Sequence, residues 1–367
     1  MTLDFSYKFF RTTADALQGM REGILGARES IYWEIYSLID DETGAPFVEL
    51  LCQKAKAGLE VKVIIDAIGS FELSRLSISR LRGAGVDVVC YNSLLPSLSL
   101  CGWVGSLWCR NHRKILVLDR EVVFIGGVNV GDMYSKWDDL HVRTTGRIVT
   151  PLLRSFAKSY VHGGGDKKKI KHLLRPRIKK EWQDLKMRCK FFLHSPVKTK
   201  SSRAKNIFLN ALSHAKTGFN LMTPYFVPDK NFFKMVSAAK ERGVKVDLFL
   251  PLVPDYKFLE WVSGLYSKMA HKHGCNVYLS TKMNHGKAMT VDNQVGFVSS
   301  INFTHRSFFA NEEAGILFHD EPMINDLNLI FEDLRQHGMF LSDKNYLHFG
   351  WKGRIKDWLG KQFGGFV

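Results

Sequence analysis

The chain has no uninterrupted apolar run of the roughly 18 residues that a membrane-spanning helix needs. Its first residues, MTLDFSYKFFRTTADALQGM, also lack the apolar core of a signal peptide. We therefore expect any contact with a membrane to be peripheral.

Cysteine is scarce as well: the chain has six cysteines among 367 residues, and no two of them form a CxxC pair. So few cysteines in a chain of this length do not make a disulfide framework, so we expect reduced residues in the core. Reduced cysteines are typical of the cytosol. The expected location is therefore cytoplasmic, with peripheral association at the inner face of the cell membrane.

Acidic residues are fewer than basic ones, 36 against 52, which leaves a formal net charge of +16. The excess is concentrated in residues 166–190, where eleven Lys or Arg residues accompany three acidic ones. A field of this sign attracts polyanions, either nucleic acid or an anionic bilayer, and composition alone favours neither. The basic stretch itself is either a solvated linker or a strip that binds such a polyanion.

An internal repeat organises the rest of the chain. Four chemically distinct pairs recur at an offset of 173 residues, which is the mark of a repeat: His112 and His285, Lys114 and Lys287, Asp119 and Asp292, and Asn129 and Asn302. Upstream of each motif the pattern is helix, strand, helix, strand, with helix stops at Gly58 and Gly243.

This alternation predicts an α/β fold with two pseudo-twofold-related domains, each a mixed, largely parallel sheet flanked by helices. We expect the active site at the interface of the domains. The predicted bounds are an N-terminal domain at 1–162, a basic linker at 163–185, a C-terminal domain at 186–345 and a basic amphipathic tail at 346–367.

The twin motif suits chemistry on a phosphodiester. His112 and Lys114 stand two apart on a predicted strand, so their side chains share a face. With the second copy, two His and two Lys would surround one pocket. One His would attack phosphorus and the other would protonate the leaving alcohol, while the Lys residues neutralise the phosphoryl oxygens. This chemistry requires no metal and no cofactor.

Polar residues at matched positions complete the predicted site. Asn129 and Asn302, with Ser300, are candidates for binding phosphate oxygens, since they follow each motif strand. Asp139 and Glu313 come ten and eleven residues after the two Asn residues. We assign these carboxylates the orientation of the two histidines, because a carboxylate on one ring nitrogen fixes the tautomer and favours the imidazolium.

The twin HxKxxxxD pattern, with its trailing Asn and carboxylate, resembles the phospholipase D superfamily. Within it, the chain is most similar to bacterial cardiolipin synthases, as the segments DAIGS, WDDLHVRTTGRIV, MTPYFVPD and NEEAGILFHD indicate. The resemblance extends from about residue 13 to about residue 345. Ser299 departs from it, since the family usually has Gly there.

The resemblance implies a phosphohistidine intermediate and transfer of a phosphatidyl group to the hydroxyl of a second phospholipid, phosphatidylglycerol being the expected substrate. By that analogy His112 is the nucleophile and His285 the general acid. Asp119 and Asp292 complete the catalytic motif, and we expect them to support its fold rather than touch substrate.

Two rival activities share these residues. Hydrolysis by a phospholipase D uses water as the acceptor, and a metal-independent nuclease cleaves another phosphodiester. Two stretches favour lipid: residues 93–108, apolar with two Trp, and residues 351–363, a basic amphipathic pattern. The expected partners are therefore phospholipid substrates and an anionic membrane surface, with nucleic acid disfavoured. The sequence does not predict an oligomeric state.

Overall fold

The computed structural model describes residues 5–92, 109–176, 188–196, 201–255 and 257–342, without the side chains of 257–261. Residues 93–108 and 351–363, where we expect lipid contact, lie outside the described residues. The chain forms two compact units. The first comprises Met1–Leu193 with Asn311–Ile316, and the second His194–Ala310 with Leu317–Val367.

The elements of the first unit in chain order are β1 (Tyr7–Thr12), α1 (Thr13–Gly26), β2 (Ser30–Ile35), α2 (Ala45–Lys56), β3 (Glu60–Asp66), α3 (Arg75–Gly83), β4 (Asp87–Tyr91), β5 (Ile115–Leu118), β6 (Val122–Gly126), β7 (Asp138–Thr145), α4 (Val149–His162) and α5 (Lys167–Leu174). Within the described residues, the strands form a seven-stranded sheet of order β1-β7-β6-β5-β2-β3-β4. Strands β2, β3 and β4 are parallel, and the other neighbours are antiparallel.

The strands of the second sheet and the helices that flank it are β8 (Cys189–His194), α6 (Arg203–His214), β9 (Gly218–Met222), α7 (Lys230–Glu241), β10 (Lys245–Pro251), α8 (Lys257–His273), β11 (Asn276–Ser280), β12 (Ala288–Val291), β13 (Val295–Ser299), α9 (His305–Phe309), β14 (Glu313–Phe318), α10 (Glu321–His337) and β15 (Met339–Phe340). In the part of the chain that the structure describes, this sheet has eight strands in the order β15-β11-β10-β9-β12-β13-β14-β8. Strands β9, β10 and β11 are parallel, and β12 is antiparallel to β9 and β13.

The predicted α/β fold with two mixed sheets flanked by helices is confirmed. The parallel pairs are confined to three strands of each sheet, because each motif strand turns back at once into a hairpin. Gly58 and Gly243 follow the ends of α2 and α7 with φ of +91° and +79°, a left-handed conformation that favours glycine after a helix. Both helix stops were predicted.

The motif strands β5 and β12 occupy interior positions in their sheets, and every residue of both is buried. Their apolar sequences, ILVL and AMTV, suit strands that are covered on both faces. Each strand therefore forms a rigid support for the His and Lys that precede it.

An aspartate ends each motif strand and ties it to the rest of its half. Asp119 and Asp292 both have φ of 51°, within the turn of the hairpin. The Asp119 carboxylate accepts hydrogen bonds of 2.7–3.1 Å from the backbone N–H groups of Arg28, Glu29 and Ser30. The Asp292 carboxylate accepts bonds of 2.8–3.1 Å from the N–H groups of Lys216, Thr217 and Gly218. Both carboxylates are thus engaged by backbone at the start of the neighbouring strand.

Candidate active site

The strand of the first motif begins later in the chain than the sequence predicts. Strand β5 begins at Ile115, so His112 and Lys114 precede the strand rather than lie on it. The backbone at His112 pairs elsewhere: its N–H donates to the Glu312 carbonyl at 2.9 Å, and the Glu312 N–H donates to the Arg110 carbonyl at 2.8 Å. Residues 110–112 therefore do not extend the β5–β6 hairpin but lie beside the start of β14.

That pairing brings His112 and Glu313 together. The Nδ1 atom of His112 lies 3.0 and 3.2 Å from the two carboxylate oxygens of Glu313, whose side chain is fully buried. A buried carboxylate at Nδ1 selects the tautomer with a proton on that atom and stabilises the imidazolium. The Nε2 atom is left as the basic or nucleophilic position of the ring.

Lys114 and Tyr36 enclose the same histidine. The Lys114 ammonium donates to the His112 carbonyl at 2.9 Å and lies 4.8 Å from the centre of the Tyr36 ring. That ring meets the His112 ring edge-on, with centroids 4.9 Å apart. Sequence reasoning missed Tyr36. Its signal was the match between YSLIDD and YFVPD in the two halves, which also contains Tyr225.

The second motif repeats this local arrangement in its own unit. His285 and Lys287 are both buried, and the Lys287 ammonium donates to the His285 carbonyl. The Tyr225 ring lies edge-on to His285 with centroids 6.2 Å apart, and its hydroxyl donates to Asp255 at 2.7 Å. Each unit therefore has a buried His, a Lys bonded to the carbonyl of that His, and a Tyr against the ring.

The two predicted phosphate-binding asparagines share an unusual feature. Asn129 and Asn302 are 5% and 7% exposed. Among the described residues, the carboxamide oxygen of each has no hydrogen-bond partner. A buried acceptor left unpaired costs free energy, which a donor such as water or a ligand hydroxyl would recover, while the amide N–H groups of the same side chains are the ones able to donate to phosphate oxygens. Ser300, the third predicted phosphate ligand, is also buried.

Asp139 is held close to Gly127, which directly follows β6. Its carboxylate accepts a bond from the Leu140 N–H at 2.7 Å, and its side chain is buried. A Cβ atom added to Gly127 would lie 2.2 Å from the Asp139 carboxylate, so glycine is required there for this approach. The role of Asp139 toward a histidine stays a prediction.

A buried ionic network surrounds the first motif, and sequence reasoning missed it. The Arg113 guanidinium lies 2.6 Å from a carboxylate oxygen of Glu312 and 3.5 Å from one of Glu34. It also donates to the Ser159 hydroxyl at 2.7 Å. Burial raises the pKa of Glu34, and the charge of Arg113 opposes that rise. The network thus joins Glu312, which precedes Glu313, to Arg113, which follows His112.

The second half lacks this network at the matching positions. Glu34 pairs with Ile115 across the sheet, and Met222 pairs with the equivalent Ala288. Gly286 stands where the first motif has Arg113. The sites in the two halves therefore have the same His and Lys but different surroundings.

Residues 20–158 and 208–335 match the family model described as "Cardiolipin synthase, PLD-like domain". The chain belongs to this family. The predictions of the phospholipase D superfamily and of an enzyme of that superfamily are confirmed.

The relatives agree with this membership. Cardiolipin synthase of Clostridium perfringens is 30% identical over 322 residues, which cover 84% of this chain and 66% of the relative. Cardiolipin synthase A of Pseudomonas fluorescens is 31% identical over 322 residues, 85% of this chain and 64% of the relative. The chain thus spans about two thirds of the length of these curated relatives.

The fold resembles a phosphatidylserine synthase from Haemophilus influenzae, with a TM-score of 0.73, 15% identity, and coverage of 98% of this chain and 92% of that one. It also resembles a polyphosphate kinase from Porphyromonas gingivalis, with a TM-score of 0.59, 14% identity, and coverage of 93% and 49%. At these identities the likeness shows the fold alone.

Among the helices that the structure describes, none is long and apolar enough to cross a bilayer.

Proposed function

We propose that the protein is a phosphatidyltransferase of the cardiolipin synthase type, with phosphatidylglycerol as donor and acceptor. The observation that carries the proposal is the buried pair of His112 and Glu313 with Lys114 beside it. The repeated His285 and Lys287, and relatives that are named cardiolipin synthase, support it further.

The proposed reaction has two steps that share one phosphorus atom. In the first, His112 Nε2 attacks the phosphorus of the donor, the bond to the headgroup alcohol breaks, and His285 protonates the leaving glycerol. In the second, His285 takes the proton of the acceptor hydroxyl, whose oxygen attacks phosphorus and releases His112. The products are cardiolipin and glycerol.

The remaining site residues serve the charges of these steps. Glu313 stabilises the positive charge that develops on His112 as its Nε2 bonds to phosphorus. Lys114 and Lys287, with Asn129, Asn302 and Ser300, bind the non-bridging oxygens. Asp139 orients His285 in the same way as Glu313 orients His112.

We expect the enzyme to work at the cytoplasmic face of an anionic membrane, where its lipid substrates lie. The decisive test is mass spectrometry of lipids from cells that lack cardiolipin and express the chain, His112→Ala or His285→Ala. The exposed His214 provides the control variant His214→Ala. Cardiolipin should accumulate with the unmutated chain and the control only. Phosphatidic acid without cardiolipin would indicate a hydrolase, and unchanged lipids would overturn the proposal in favour of a nuclease.

A phosphatidyl ester of nitrophenol separates the roles of the two histidines. This leaving group departs without a general acid, so His285→Ala should release a burst of one equivalent of nitrophenol and then stall. His112→Ala should give no burst. A burst from His112→Ala alone would reverse the assignment.

A further inference from the structure

The basic stretch begins with a helix that is firmly attached to the first unit. In α5, Ile170 and Leu173 are almost completely buried. The Asp166 carboxylate caps the helix by accepting the N–H of Lys168 at 2.8 Å. Residues 167–174 of the predicted linker are therefore a packed helix, so their exposed side chains form a surface of defined shape.

Two basic side chains of this helix form ion pairs with acidic groups beside it. The Lys169 ammonium lies 3.5 Å from the Asp87 carboxylate, and His172 Nε2 lies 3.2 Å from the Glu60 carboxylate. Both acids also accept hydrogen bonds from buried tyrosines of the same unit. Lys169 and His172 thus each have an acidic partner at the start of β4 or β3.

Four other basic side chains are exposed: Lys167, Lys168 and Lys171 on α5, and Arg175 directly after it. Among the residues that the structure describes, none forms an ion pair with these four. Lys167 and Lys171 stand four apart, about one turn of the helix, and are therefore about 6 Å apart along its axis. No acidic residue occurs from 167 to 175.

We propose that this outward row, formed by Lys167, Lys168 and Lys171 of α5 together with Arg175 directly after it, docks the enzyme on a bilayer that contains anionic phospholipid. Charge complementarity favours such a surface, and the inference takes its lipid from the proposed function. Proteins that bind single-stranded nucleic acid add large aromatic side chains for stacking, and the segment from 167 to 175 has no Phe, Tyr or Trp. A flat array of phosphate headgroups is therefore the better match.

The test is flotation of the full chain with vesicles of phosphatidylcholine, with and without phosphatidylglycerol. The docking variant is K167Q/K168Q/K171Q/R175Q. The control, K216Q/K230Q/K234Q/K240Q, removes the same charge from exposed positions of the second unit. Each basic residue near an anionic surface contributes about fivefold in affinity. The docking variant should lose up to several hundredfold at low salt and the control only a few fold, with the difference shrinking at high salt.

Two results would overturn this inference. Equal losses for the docking and control variants would mean that net charge, rather than α5, attracts the bilayer. Unchanged vesicle binding with lost binding to duplex DNA would assign the row to nucleic acid. Transfer in detergent micelles, where docking is not needed, keeps the proposals separate: activity of the docking variant there should equal that of the unmutated chain. If the unmutated chain shows no transfer in micelles but its flotation depends on α5, the proposed function is wrong and the docking surface stands.

Discussion

Replacing Arg113 by Met should destabilise the first unit, because Arg113 compensates two buried or half-buried carboxylates. Glu34 is completely buried, and Glu312 is 15% exposed at its side chain. Removing one partner of a buried ion pair costs about 3–5 kcal/mol, since the remaining charge loses its compensation. Here the repulsion between Glu34 and Glu312 is added to that loss.

The second half indicates how the loss can be reversed. It has Met222 at the position of Glu34, where the Asn284 amide lies 3.3 Å from the Met222 sulfur. Adding Glu34→Met to Arg113→Met removes the uncompensated carboxylate and replaces it with the side chain that this position has in the other unit. The double variant should be about 2 kcal/mol or more stable than the sum of the single changes predicts.

Native-state hydrogen exchange with mass spectrometry measures this coupling unit by unit. Peptides that contain β2 and β5 report the opening of the first unit, and peptides that contain β12 and β13 provide an internal control. Arg113→Met should lower the opening free energy of the first set only. Strictly additive effects of the two substitutions, or equal losses in both units, would refute the assignment of Arg113 as the compensating charge.

Three further predictions concern single residues. Asp292→Asn should cost about 1–3 kcal/mol in urea unfolding of the second unit. Burial would raise the pKa of Asp292, but its hydrogen bonds outweigh burial and lower it, so the wild-type advantage should vanish as pH falls below 3.8. Burial lowers the pKa of His141 from 6.5 to about 4, so stability should fall by about 3 kcal/mol as pH drops through that window, a slope that His141→Gln removes. Gly127→Ala should reduce turnover about 100-fold by displacing Asp139, while Gly26→Ala, whose added Cβ meets nothing, should not; equal activities would contradict the close approach.

Much of the architecture follows from local patterns in the sequence. The buried strands, the glycine helix stops and the twin motif each depend on spacings of a few residues. Because the chain contains an internal repeat, each of these patterns occurs twice, and the second copy supports the interpretation of the first. The start of β5 was misjudged because residues 111–113 pair with Glu312, about 200 positions away in the chain. No local pattern encodes a partner at that distance.

The ionic network was missed for a related reason. Glu34 interrupts an apolar strand, and Arg113 stands between the motif residues His112 and Lys114, so neither residue indicates its partner on its own. Glu34 and Arg113 meet because β2 pairs with β5, the strand that begins two residues after Arg113. Glu312 joins them because residues 311–316 belong to the first unit although they are distant in sequence. Tyr36, in contrast, could have been found by comparing the two halves position by position.

The aspartates that end the two motif strands have a consequence for which residues can be exchanged around them. Asp119 and Asp292 recognise backbone N–H groups, which every residue except proline supplies, and the anchored triplets are accordingly different: Arg28-Glu29-Ser30 and Lys216-Thr217-Gly218. The surroundings of His112 or His285 can therefore change without altering the position of the strand that follows it. The same tolerance makes each half a scaffold whose site can be redesigned separately.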